Sequence, residues 1–253
     1  MSKDCDLIRH GKKTLNWKNN IFFTLIDPQE PGNIGASARA LKNMGFKNMQ
    51  LVDPGDYLAD EARNRARSAE DVLDSAVVFP DISEALNDKH LVVATSRRQG
   101  KNRGCFLPFD EGIKRIRETS EKNRVAILFG RENKGLINEE SSRCGFILTI
   151  PTDIEFPSIN LAQSVLLIAY ELNKAAAEKE IPELLDQSEM NRLFKRMSSI
   201  LHRLEYLPQG DRDLEEVIMQ NLRQLFNRAG LTKWEMDMLY GLCTQIEKKI
   251  KRS

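Results

Sequence analysis

An α/β fold with a mostly parallel sheet, followed by a small all-helical C-terminal region, is what three features of the sequence predict. Short apolar runs that end in polar turns recur every 20 to 30 residues or so, helical patterns lie between them, and the strand-like runs stop near residue 180. A continuous apolar run marks a strand buried on both faces, and a helix between successive strands joins them in parallel. At 253 residues and 41% hydrophobic, the chain can bury one sizeable core and a second, smaller one.

Residues 1–19 carry no periodic pattern and read as an N-terminal extension, with Arg9, Lys12 and Lys13 on a solvated face. Ile21 to Ile26, IFFTLI, is apolar, β-branched and aromatic throughout and stops at Asp27-Pro28, which predicts the first strand. The segment NIGASARALKNMGF then predicts a helix, with Asn33 as N-cap, Ile34, Ala38, Leu41 and Met44 on one face, and Gly45 as the stop. Met49 to Val52 is the second strand. Residues 57 to 76 form a charged, alanine-containing region read as two short helices. A strand at Val77 to Phe79, a helix at Asp81 to Asn87 and a strand at Leu91 to Ala94 follow.

The loop after Thr95-Ser96 gathers Arg97, Arg98, Lys101 and Arg103 with no acidic residue among them. Strand Val125 to Phe129 runs into GRENKGL, helix Asn138 to Arg143 runs into strand Phe146 to Ile150, and PSINLAQSVLLIAYEL opens a buried helix. Either Ser158 or Asn160 can cap that helix, and Leu161, Val165, Ile168, Ala169 and Leu172 share one face. Three helical patterns close the chain, Leu184 to Tyr206, Leu214 to Ala229 and Lys233 to Lys251, broken at PQGDRD and AGLT. The chain thus divides into an extension (1–19), an α/β domain (20–179) and a helical extension (180–253).

Composition excludes several classes. The 38 basic and 37 acidic residues nearly cancel, so any nucleic-acid contact has to be local. Cys5, Cys105, Cys144 and Cys243 and the three histidines are scattered without ligand spacing, which predicts reduced thiols, a cytoplasmic protein and no metal. The N-terminus is too polar for a signal peptide, and no apolar run approaches about 18 residues, so no membrane partner is expected.

In parallel sheets, ligands bind beyond the carboxyl ends of the strands. Four polar or glycine-rich turns fall there: PGNIGASAR, TSRRQGKNRG, GRENKG and TDIEFPSIN. Gly32-x-x-Gly35 lacks the dinucleotide spacing. Gly130 and Gly135 have P-loop spacing, yet Leu136 and Ile137 stand where Lys and Ser/Thr would hold phosphate and magnesium. No nucleophile elbow is present. What remains, glycines with hydroxyls, amides and arginines, suits a polar cofactor and an anionic substrate.

Asn33-x-Gly35-x-x-x-Arg39, Leu128-Phe129-Gly130-Arg131-Glu132-x-x-Gly135-Leu136 and Pro157-Ser158-Ile159-Asn160-Leu161 resemble, in order, the three motifs of the SpoU/TrmH group of SPOUT RNA ribose 2′-O-methyltransferases. The helical extension is similar to that of the TrmJ branch, which methylates the ribose of nucleotide 32 in the tRNA anticodon loop. The resemblance implies a C-terminal trefoil knot, a homodimer whose two knots complete each site, and S-adenosyl-L-methionine as cofactor. It places the cofactor against Thr95, Ser96, Arg97, Gly130, Ile150, Ser158, Ile159 and Asn160. It also gathers Asn33, Arg39, Glu132 and Ser158 as catalytic residues at the reaction centre.

A ribose 2′-hydroxyl is a poor nucleophile near neutral pH, so its proton has to be removed or its developing alkoxide stabilised. Arg39 has no acceptor, which favours a phosphate clamp that stabilises the alkoxide over a general base. Asn33 is expected to cap its helix and orient Arg39, while Arg131 and Glu132 pair with each other or across the dimer. Arg97, Arg98, Lys101 and Arg103 are candidates for RNA backbone contact. The expected substrate is tRNA, with rRNA or another tRNA position as the alternative, and a non-catalytic RNA-binding module on the same fold as the reading from a different class.

Overall fold

The computed structural model describes residues 17–97, 105–179, 181–207 and 212–250. The basic residues Arg98, Lys101 and Arg103 and the extension up to residue 16 lie outside them.

A 3-10 turn, Trp17–Asn20, leads into β1 (Ile21–Ile26), α1 (Pro31–Asn43), β2 (Met49–Val52), α2 (Asp60–Ala66), α3 (Glu70–Asp74), β3 (Val77–Phe79), α4 (Ile82–Leu86) and β4 (Leu91–Thr95). Then come β5 (Phe106–Leu107), α5 (Phe109–Thr119), β6 (Val125–Phe129), α6 (Asn138–Ser142), β7 (Phe146–Leu148) and α7 (Leu161–Lys174). Helices α8 (Gln187–Arg203), α9 (Arg212–Ala229) and α10 (Lys233–Ile250) form the tail.

The strands make one sheet in the order β3-β2-β1-β6-β4-β7-β5, and each pairing among the described residues is parallel. The chain winds outward from β1 to β3, then crosses to the other side of β1 for everything that follows. The winding therefore reverses between β1 and β4, which leaves the carboxyl ends of the strands on that side of the sheet open to a ligand.

All six residues of β1 and all five of β6 are buried, as their unbroken apolar runs require. Alternation divides them between two layers. Ile21, Phe23, Leu25, Val125, Ile127 and Phe129 pack with Ile34, Ala38, Leu41, Val165, Ile168 and Leu172, the inner faces of α1 and α7. Ile26, Ala126, Leu128, Ala94 and Ile147 face Ala85, Leu86 and Leu136 on the other side. The buried polar pair in mid-sheet satisfies itself, Thr24 Oγ1 donating to Gln50 Oε1 at 2.9 Å.

The tail has its own core of Leu185, Met190, Leu193, Phe194, Leu231 and Met236. It is joined to the sheet domain through backbone groups. Gln187 N donates to Lys89 O at 2.9 Å and Ser188 N to Asn87 O at 3.0 Å. Gly145 lies so near α9 that a Cβ there would stand 2.8 Å from Asn227 O.

Three expectations change. Asn33 does not cap α1: the helix starts three residues earlier, with Glu30 at the cap position and Pro31 in the first turn. Pro31 has the backbone angle the first helical turn needs and no N–H to satisfy, so the start shifts to it and Asn33 is freed for other bonds. Strand β5 and helix α5 were not anticipated: two residues are too short to show a period, while α5 does carry an apolar stripe, Phe109, Ile113 and Ile116, on an otherwise charged sequence directly after the long polar loop. Strand β7 ends at Leu148, two residues before the expected end, and releases Thr149 and Ile150 from the ladder.

Gly35 marks the tightest approach in this layer. A Cβ there would lie 1.9 Å from the Ala62 carbonyl oxygen of α2, so no side chain fits between the two helices. Gly35→Ala is expected to cost about 2–3 kcal/mol and to lower Tm by about 5–10 °C. Gly55→Ala, where a Cβ meets nothing within 4 Å, should leave the melting curve in place. Calorimetric melts of the two variants check the contrast.

Candidate active site

The pocket at the sheet's carboxyl edge is floored by the ends of β4, β6 and β7. Thr95 Oγ1 donates to Leu128 O at 2.8 Å, Ser96 N to Leu148 O at 3.1 Å, and Thr149 Oγ1 to Ser96 O at 2.7 Å. These bonds hold the three strand ends together just where β7 leaves the ladder. Over that floor lie two loops, 130–136 after β6 and 157–159 before α7.

The 130–136 loop closes on itself. Gly135 N donates to Arg131 O at 2.7 Å and takes a positive φ of 65°. A Cβ on Gly130 would lie 2.2 Å from Gly135 C and Leu136 N. Both glycines are therefore demanded by the turn itself.

Thr95, Ser96, Arg97, Gly130, Ile150, Ser158 and Ile159 all line this pocket. Phe129, Arg131, Glu132, Leu148, Leu161 and Ser164 line it too. Asn160 stands behind it. Its Oδ1 accepts from Ala162 N at 2.9 Å and Gln163 N at 3.4 Å, capping α7, so of the two candidate caps Asn160 is the one used.

The three motifs meet in one hydrogen-bonded cluster. Asn160 Nδ2 donates to Asn33 Oδ1 at 2.8 Å, and Asn33 Nδ2 donates to Glu132 Oε1 at 2.9 Å and Glu30 Oε2 at 3.0 Å. The other oxygen of Glu132, Oε2, accepts from Gln29 N at 2.9 Å. Arg131 and Glu132 therefore do not pair with each other within the chain. Arg131 instead bridges Asp27, at 2.8 Å, and Glu140, at 3.0 Å. Burial opposes the Arg131 charge, and its hydrogen bonds to the two carboxylates outweigh that, so its pKa stays above the ordinary guanidinium value.

Asp27, Glu30 and Glu140 join the site without a motif to mark them. Asp27 was read as a strand end, and the signal available for the other two was weak, a carboxylate near a helix start. Arg39 is not gathered in: it is exposed on α1, does not line the pocket, and makes no ion pair or hydrogen bond among the described residues.

This fold and this three-motif cluster are those of a methyltransferase, and the chain belongs to the SpoU rRNA Methylase family, whose model matches residues 20–170. Residues 188–253 match the C-terminal domain of the tRNA methyltransferase TrmJ. The tRNA (cytidine/uridine/adenosine-2′-O-)-methyltransferase TrmJ of Pseudomonas aeruginosa is 35% identical over 243 residues, covering 91% of this chain and 95% of the relative. The tRNA (cytidine/uridine-2′-O-)-methyltransferase TrmJ of Sodalis glossinidius is 33% identical over 238 residues. The crystal structure of TrmJ from Z. mobilis ZM4 superposes with a TM-score of 0.76 at 31% identity, covering 89% of this chain and 98% of that one.

Asn33 cannot turn its amide over, because Nδ2 is held between two carboxylates. Its Oδ1 therefore needs a donor. Asn160→Ala should lose about 1 kcal/mol of capping and about 1 kcal/mol for the lost bond to Asn33. Asn160→Asp keeps the cap but sets an acceptor against an acceptor, and should recover no more than half of that loss. Urea unfolding of both variants measures the difference.

Proposed function

We propose that the protein transfers a methyl group from S-adenosyl-L-methionine to the ribose 2′-hydroxyl of a tRNA nucleotide, position 32 of the anticodon loop. The observation that carries the reading is the joining of residues 33, 132 and 160, far apart in sequence, in one cluster beside a pocket lined by seven of the eight residues expected to hold the cofactor. The lining fits that cofactor. Leu148, Ile150 and Ile159 offer an apolar wall for adenine, Ser96 and Ser158 bring hydroxyls to the lining, and Arg97 brings a cation for a carboxylate. When bound, S-adenosylmethionine supplies an electrophilic methyl on a sulfonium.

The chain's own residues then position and stabilise. The Asn33 cluster holds the start of α1 and the start of α7 at the pocket, which keeps Ser158 and Ile159 in place. Glu132 anchors the 130–136 loop to the turn before α1 through Gln29 N, so the pocket wall does not drift. The 2′-hydroxyl would give its proton to water or a phosphate, and the cofactor, its methyl–sulfur bond broken as the oxygen takes the methyl, would leave as the neutral thioether. Arg39 clamps a phosphate through its guanidinium fork and stabilises the alkoxide as it develops.

Arg39 faces solvent, so the reading places it at the site of a second copy. Helix α7, against which α1 packs, leaves Leu166, Leu167 and Tyr170 at 38%, 40% and 47% exposure on its outer side. An apolar strip of that kind on the helix beside the pocket suits a homodimer in which each copy completes the other's reaction centre. The trefoil knot, the division at residues 19 and 179, a cytoplasmic location and RNA contacts by Arg97 with Arg98, Lys101 and Arg103 belong to the same proposal. No helix among the described residues is long and apolar enough to cross a membrane.

Mass-spectrometric mapping of ribose methylation on tRNA from cells with and without the protein tests the reading. Loss at position 32 is expected, and an unchanged tRNA profile would overturn it. Arg39→Lys keeps the charge but loses the bidentate fork. It should lower methylation about 100-fold or more while S-adenosylmethionine still binds, on the scale of removing one transition-state donor. Near-wild-type turnover by that variant would remove Arg39 from the reaction centre.

A further inference from the structure

A second opening lies where the tail meets the sheet domain. It is a cavity of about 660 Å³ bordered by α4, α6, α8 and α9. Most of its lining side chains are polar, with Leu86 and Met219 as the apolar exceptions, and the residues that give it character are Arg143 and Arg223, with Asn191 and Gln187 beside them and the exposed Glu139 and Glu216.

Arg223 is half-buried and, among the described residues, has no carboxylate within ion-pair distance. Its guanidinium lies 4.7 Å over the Phe194 ring, and Nη1 donates to Asn191 Oδ1 at 2.8 Å. Burial draws its pKa down, and the nearby Arg143 adds repulsion. Arg143 reaches in from α6, donating to Ser83 Oγ and, at 3.2 Å, to the exposed Glu139. Two guanidiniums are thus set close enough to repel, and only one has an acid partner, a solvent-exposed one that contributes little. Holding a desolvated cation without a counter-charge is costly. A guanidinium fixed by a ring and an amide keeps N–H groups for an oxyanion, whose geometry its fork matches.

The position of the opening indicates which oxyanion. Leu136 lines the cofactor pocket and Asn138, two residues on at the start of α6, lines this cavity, so the short segment 136–138 connects the two openings.

We propose that this cleft binds phosphate, and that its occupant is a phosphodiester of the substrate RNA held by the paired forks of Arg143 and Arg223. The inference rests on the RNA-methylation reading. It makes the seam between sheet domain and tail a backbone clamp, separate from the reaction centre.

The test is tRNA binding by the full chain, followed by fluorescence anisotropy between about 50 and 200 mM salt. Arg223→Met keeps a stem over Phe194 and removes the charge, and Arg143→Ala alters a more exposed side chain. Thermal melts establish that both fold. Each variant is expected to bind tRNA several-fold more weakly and to reduce the magnitude of the log Kd against log salt slope by about 0.7 to 0.9, one phosphate contact, with S-adenosylmethionine affinity unchanged. Wild-type affinity and slope in both folded variants overturn the proposal. Calorimetric titration of inorganic phosphate separates the sources: heats that vanish in Arg223→Met while tRNA binding is untouched assign the cleft to a free anion and overturn the RNA occupant. Methylation of tRNA by the wild type, measured alongside, keeps the two readings apart. Its absence strikes the proposed function, and its presence with unchanged variant binding strikes the clamp alone.

Discussion

Asn33 holds together parts of the chain that no local rule connects. Its amide accepts from Asn160, which caps α7, and donates to Glu132, on the loop after β6. A side chain with one acceptor and one donor group can serve as such a joint only if its orientation is fixed. The two carboxylates on Nδ2 fix it. The same arrangement sets Glu132, because a carboxylate that accepts from Gln29 N and Asn33 Nδ2 together is held in place and carries its loop with it. Around this joint, the turn before α1, the loop 130–136 and the start of α7 become one wall.

That wall stands where a parallel sheet leaves room for it. Winding outward from β1 to β3 and then across to β4 separates the following loops, so the crevice over β4, β6 and β7 is open. The glycines near it act on the protein as well as on the space beside it. Gly130 and Gly135 make the turn that closes the loop, and Gly35 lets α2 lie against α1. Motif glycines that look like ligand contacts are here also packing and turn requirements. Their loss would be felt in folding before chemistry.

The tail is attached by groups that leave little freedom. Backbone hydrogen bonds from Gln187 and Ser188 reach Asn87 and Lys89, at the turn that enters β4, and α9 comes against Gly145 at the entry to β7. Both attachments lie at the amino ends of strands, opposite the pocket. Helix α6, running between the 130–136 loop and the seam, links one side of the sheet to the other. A tail set in this way keeps a constant relation to the sheet domain.

Patterns along the chain were enough for strands β1, β2, β4 and β6, for α7 with its buried face, and for the three tail helices, because burial on both faces or on one stripe dictates composition directly. The turn residues of the site could also be found, since strand ends in a parallel fold fall at the sheet's ligand edge and Gly130, Ser158 and Asn160 sit at such ends. What the tertiary structure decided were the partnerships. Asn33 proved a joint rather than a cap, Arg131 took Asp27 and Glu140 rather than its neighbour, and Arg39 stayed outside the pocket. Strand β5 has two residues and so no period, whereas α5 does carry a stripe, Phe109, Ile113 and Ile116, narrow against its charged face. Periodicity records how much of a side chain is buried, whereas the choice of partner depends on which distant segments the sheet order brings within hydrogen-bond reach.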